Sequence, residues 1–232
     1  MKLLQTIILI LFSQALFGQQ KDTVFLVKEI IDTPYFKRHY IYIDSGLSCI
    51  ENHKHIYSFD WLKKNYKKNY ESRLRDIKNF KNYSKDLVNF PRQWITLHLY
   101  KNELYTYACN ASGHNEQFEL TDSTFIWYSM EGPEISKLYN LELSPNKISF
   151  NALGKYTKGK IVIEYINKQK GIAILNQYSS SENNTLYRYL LVDVKKANLF
   201  RIIVDYCLEE EECDFIFDEN DFTKLKKIYK EN

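Results

Sequence analysis

The chain has 232 residues, 44% apolar and 26% charged, with 32 Lys and Arg against 29 Asp and Glu for a formal net charge of +3. Those proportions are those of a globular protein and exclude a disordered, collagenous or coiled-coil chain. A surplus so small leaves no basic footprint for nucleic acid, so none is expected as a partner.

Residues 1–18 read as a secretory signal: Lys2 supplies the positive charge, 3–12 is an apolar run, and Ala15 or Gly18 offers a small residue for cleavage. The run is shorter than the roughly 20 residues that span a bilayer, and nothing later approaches that length, so the mature chain is expected to lack a transmembrane segment. The leader resembles those of exported bacterial proteins. The expected location is the periplasm, the cell surface or the extracellular medium, and the expected organisation is a single mainly-β domain over 19–232.

Within that domain, 23–27 and 40–43 are rich in β-branched and aromatic residues and read as strands. Ser58 then caps a predicted amphipathic helix over about 59–75, with Tyr66 and Tyr70 on its apolar face. It forms a helical insertion around 58–80. Past Pro91 the period switches to two. Strands are predicted at 94–100, 103–109, 117–120, 124–130, 135–143, 147–153, 160–166, 171–178, 185–194 and 200–207. Turn residues separate them: Lys101-Asn102, Asp122-Ser123, Pro145-Asn146 and 167–170. Asp221 caps a short C-terminal helix over 222–229. Such spacing predicts an antiparallel meander closing into a barrel or a sandwich. The G-x-W of lipocalin-like barrels is absent, because Phe59, Arg92 and Phe125 stand two residues before Trp61, Trp94 and Trp127. No family resemblance is drawn.

Export makes the four cysteines candidates for bridges. Cys207 and Cys213 flank the acidic run 208–212 between two apolar stretches, 201–206 and 214–217, as across the mouth of a hairpin. Cys49 and Cys109 are the remaining pair. No C-x-x-C occurs, which excludes a redox motif and a zinc ribbon.

Catalytic signals are few. Glu51, His53 and His55 would share one face of an extended segment, and two imidazoles with a carboxylate are a common ligand set for zinc or iron. There is no G-x-S-x-G elbow, no phosphate-cradling glycine loop and no EF-hand pattern around Asp218. No cofactor is expected. The aromatic residues are the other candidate feature: Trp94, Tyr105, Tyr107 and Trp127, with Tyr187 and Tyr189, alternate along strands and supply large rings to one face. Such a face suits a small apolar or amphipathic ligand, although strand preference alone would also place rings there. The leading expectation is an exported, non-catalytic binding or structural protein. Its alternatives are a metal-dependent hydrolase built on Glu51, His53 and His55, and an inhibitor or immunity-type protein that binds another protein.

Overall fold

The computed structural model describes residues 24–31, 37–44, 57–77, 86–109, 116–129, 132–155, 157–179, 185–207 and 215–229. In chain order these form β1 (Val24–Ile31), β2 (Lys37–Asp44), α1 (Phe59–Asn65), α2 (Lys67–Asp76), β3 (Gln93–Thr96), β4 (His98–Tyr100) and β5 (Glu103–Cys109). Then come β6 (Gln117–Leu120), β7 (Thr124–Ser129), β8 (Gly132–Ser144), β9 (Lys147–Leu153), β10 (Lys158–Asn167), β11 (Ile172–Ser179) and β12 (Leu186–Asp193). A 3-10 turn (Val194–Leu199), β13 (Arg201–Cys207) and α3 (Phe222–Tyr229) complete the chain.

Eight antiparallel strands close a barrel in the order β10-β11-β12-β3-β6-β7-β8-β9. The expected meander is therefore present: β6 to β12 run up and down in sequence, and β3 fills the gap between the two ends. Full closure leaves no edge strand in this sheet. A second sheet of five strands has the order β1-β2-β13-β5-β4. One extended stretch serves both: β3 pairs with β12 and β6, while β4, two residues on, pairs with β5. The β4–β5 hairpin turns on Lys101 and Asn102, both at positive φ (50° and 65°), as a two-residue primed turn requires.

The barrel has two cores because most of its strands are covered on both faces. Trp94, Phe118, Phe125, Phe150, Ile161, Ile163, Leu175 and Leu191 fill the interior. Their sequence neighbours Ile95, Ile126, Ile174, Leu190 and Val192 form a second core on the outer wall. Runs such as Ile172-Ala173-Ile174-Leu175 are apolar without a break for this reason. Helices α1 and α2 supply part of the cover, with Phe59 edge-on to Tyr128 at 5.7 Å and α2 lying along β8.

Three expectations need correction. The helix predicted over 59–75 is two helices, broken at Tyr66, whose φ and ψ of −99° and 21° leave the helical region. The Tyr66 ring lies on Gly132, where an added Cβ would sit 3.1 Å from Cδ1, and Gly132 itself has φ +96°. Packing against the barrel thus overrides local helix propensity. Second, the five-stranded sheet is not wholly antiparallel, since β13 runs parallel to β5, with Arg201 opposite Tyr105 and Asp205 opposite Cys109. Third, β13 has β2 on one side and β5 on the other, so 215–217 forms no hairpin with it. Residues 215–218 pass beside β4 instead, with an isolated bridge from Asp218 to Leu99. Cys207 therefore does not stand at the mouth of a hairpin between β13 and 215–217. Cys49 and Cys213 lie outside the described residues, as does the Cys207 side chain, and Cys109 is buried at the end of β5.

Candidate functional site at the barrel mouth

The barrel interior is graded along its axis. One end, the base, is packed: Leu87 and Trp94 are fully buried, and Phe90 and Tyr165 close against Trp94 at 6.4 and 5.4 Å between ring centroids. The other end is where β3, β7, β9 and β11 finish and β6, β8, β10 and β12 begin. There the same inward register positions carry polar groups and rings in place of aliphatic side chains.

On this mouth, Phe118 stacks with Trp127 at 6.4 Å and 15°, and Tyr189 closes on both at 5.2 and 6.4 Å. Glu134 faces Trp127 across the β7–β8 ladder, and its Oε1 accepts a hydrogen bond from the backbone N–H of Thr157. Ser136, fully buried, lies one step deeper beside Gly154. Gln177 and Ser179 from β11 are buried on the facing wall. Alternation carries their inward positions: Ile161 pairs with Gln177 and Gly159 with Ser179.

Two polar atoms inside this region, Trp127 Nε1 and Ser136 Oγ, have no hydrogen-bond partner among the described residues. A buried N–H or O–H in that state costs about 1–3 kcal/mol unless a guest satisfies it. Glu116, immediately before β6, is a titratable group at the mouth, as are Glu134 and Tyr189. Burial pushes its carboxyl up to about 7. Tyr189 is pushed up as well, first by burial and then by the charge of Glu116 and by Tyr187.

The Glu116 shift has a readable consequence. Its folded value of about 7 exceeds the ordinary 4.5, so between those pH values the folded state holds a proton that the unfolded state has lost. Stability attributable to this group is therefore complete below pH 4.5 and lost as pH rises to 7. Glu116→Gln removes the ionisation. It is expected to match wild type at pH 4 and exceed it at pH 8 by about 1–3 kcal/mol, after allowing for screening at the mouth. Urea midpoints at the two pH values check this, and parallel pH profiles for the two proteins would refute it.

The structure does not bring the sequence candidates together. Trp94 and Trp127 both point into the barrel, but Trp94 belongs to the packed base and only Trp127 reaches the mouth. Tyr105 and Tyr107 lie in the other sheet, against Phe215 and Phe217. Their hydroxyls are engaged there: Tyr107 donates to Asp205 Oδ2 at 2.8 Å, and Tyr105 donates to Glu103 Oε2 at 2.7 Å. The expected single aromatic face is divided between two sheets. Glu51, His53 and His55 lie outside the described residues, and among the described residues no cluster of His, Cys, Asp and Glu is placed to hold a metal. Sequence reasoning passed over Glu116, Glu134, Ser136 and Gln177. Their signal was a polar residue at every second position near one end of a strand, legible only after the inward face is known.

The fold defines a class: an eight-stranded antiparallel closed barrel whose interior is aliphatic and aromatic at one end and carries rings and polar side chains at the other. Comparison with protein-family models, with curated proteins and with solved structures returns no match. No helix among the described residues is long and apolar enough to cross a membrane.

Proposed function

We propose that this chain is an exported binding protein whose barrel mouth takes one small amphipathic ligand. The observation that supports it is the pair of unsatisfied donors: Trp127 Nε1, within the Phe118–Trp127–Tyr189 rings, and Ser136 Oγ, one register step deeper opposite Phe125. A barrel of eight strands is wide enough either for its own side chains or for one small guest. Here side chains fill the base, and the guest belongs to the mouth. Its flat apolar part would rest on the rings, its acceptor would take the indole N–H, and a donor would meet Glu134 or Glu116. Export rests on the leader pattern of 1–18, and a mature N-terminus near Gln19 or Gln20 in end-sequencing is its check.

A thermal-shift and fluorescence screen of amphipathic compounds tests the ligand reading. A true ligand is expected to quench tryptophan emission and to stabilise by about 2.7 kcal/mol at one hundred times its dissociation constant. Trp127→Phe, which removes the donor and keeps an aromatic ring, is expected to weaken that ligand roughly tenfold. A screen without any shift would overturn the proposal.

A second reading has its own observation. One face of the five-stranded sheet exposes Phe25 (54%) and Tyr206 (39%) beside Tyr40 and Tyr42, with Phe25 at 6.4 and 5.8 Å from those two rings. Exposed rings in one patch suit a protein partner of the inhibitor or immunity kind. A failed ligand screen, together with a defined partner lost on Tyr206→Asp, would select this reading.

A further inference from the structure

At the barrel base, away from the mouth, a groove of about 590 Å³ lies between α3, the end of β10 and the β8–β9 turn. That volume is within the range of small-molecule sites. Ile166, buried on the outer face of β10, supplies apolar surface, and Tyr165, whose ring packs inward on Phe90 and Trp94, reaches the groove on the side that Lys168 covers. Its rim is cationic, with Lys168, Lys226 and Lys227 against the single carboxylate Glu164, a formal +2 in a chain whose total is +3. Lys226 is committed to Glu164, Nζ to Oε2 2.5 Å. Lys227 has no ion pair among the described residues, and Lys168 stands 5.8 Å from the centre of the Tyr165 ring. Asn146 and Thr223 add an amide and a hydroxyl.

The groove is built before any guest arrives. Asp221 Oδ1 caps α3 by accepting from the backbone N–H of Thr223 and Lys224, each at 3.0 Å. Leu225 is buried, and Asn167 Nδ2 donates to the carbonyl of Tyr229 at 3.3 Å. The Asn167–Tyr229 hydrogen bond and the Lys226–Glu164 pair hold the helix against β10, which keeps the lysines in place without a ligand.

We infer that this groove is a second binding site, for a small organic anion carrying an aromatic or apolar body. The apolar part lies on Ile166 and Tyr165, and the carboxylate, phosphate or sulfonate is held by Lys168 and Lys227. Lysine suits this task as a mobile point charge without demanding a planar partner. An inorganic ion alone would leave this apolar surface uncovered, and a neutral ring would leave two unpaired cations facing it.

The experiment is a titration of the full mature chain with 1-anilinonaphthalene-8-sulfonate, read by the dye's fluorescence at low and moderate salt. The comparison proteins are Lys168→Glu/Lys227→Glu and Trp127→Phe, the first pair being exposed side chains whose replacement leaves the Lys226–Glu164 link intact. Wild type is expected to bind one dye, more weakly as salt rises. The double variant is expected to bind about tenfold more weakly or worse, with Trp127→Phe unchanged. Unchanged affinity in the double variant, or no binding by wild type, would overturn the inference. Loss confined to Trp127→Phe would also overturn it while placing the dye at the mouth, so the two sites are told apart.

Discussion

Trp94→Ala is expected to cost about 3–5 kcal/mol of folding stability, with no ligand involved. Trp94 is completely buried and sits where the base closes, between Phe90 and Tyr165 and above Leu87. Its register partners, Asp193 on β12 and Phe118 on β6, hold the β3 backbone on both sides, so the strand has little freedom to collapse into the void. The indole N–H has no partner among the described residues, so the loss is transfer free energy plus cavity and includes no broken hydrogen bond. At about 2–4 °C per kcal/mol for a chain of this size, the melting temperature should fall by roughly 6–20 °C. Trp127→Ala at the mouth, where the ring is only partly buried, should cost about half as much or less. Guanidinium unfolding of both variants is the measurement. Equal costs would mean that base and mouth do not differ, and the ligand proposal would lose its structural footing.

Glu119→Ala is expected to cost about 2–4 kcal/mol and to loosen α1 and α2 selectively. Glu119 is 6% exposed on the outer wall of β6, beneath those helices. Its Oε1 accepts from Lys63 Nζ at 2.7 Å and Gln93 Nε2 at 3.1 Å, and its Oε2 accepts from the Tyr128 hydroxyl at 2.8 Å. Burial pushes the Tyr128 hydroxyl up, and the neighbouring Glu119 charge and hydrogen bond push it further. Removing the carboxylate strands that buried hydroxyl, which is the expensive part of the change. Lys63 is one-third exposed and can turn to water, which is why the estimate stops short of the full cost of breaking a buried pair. Amide exchange over 59–76 should accelerate more than exchange in β10 and β11. A cost below about 1 kcal/mol, with uniform exchange, would show that the helices are held by Phe59 and Tyr66 and not through this carboxylate.

Much of the strand pattern was legible locally. The elements Glu103–Cys109, Gln117–Leu120, Lys147–Leu153 and Phe222–Tyr229 fall where alternation, turn residues and the Asp221 cap placed them. The Lys101-Asn102 hairpin is of the same kind, since a primed turn is a property of two residues and their flanks. The failures all involve distant partners. Tyr66 breaks a helix because Gly132 is beneath it, and β13 denies 215–217 a hairpin because β2 and β5 already occupy its edges.

By itself the sequence determined that this chain is mainly β, where most strands begin and end, and which side chains share a face within each. Those follow from period-two alternation of side chains along an extended backbone, a local property. Only the tertiary structure decided which face turns inward, and that Tyr105 and Tyr107 leave the barrel for a second sheet while Trp94 and Trp127 stay. It also decided that Glu116, Glu134 and Ser136 meet Trp127 at one mouth. The physical reason is closure: pairing β3 with β12, or β13 with β5, joins residues about a hundred positions apart. The free energy that selects such pairings comes from burying both cores at once, a sum over the whole chain that no local window of sequence contains.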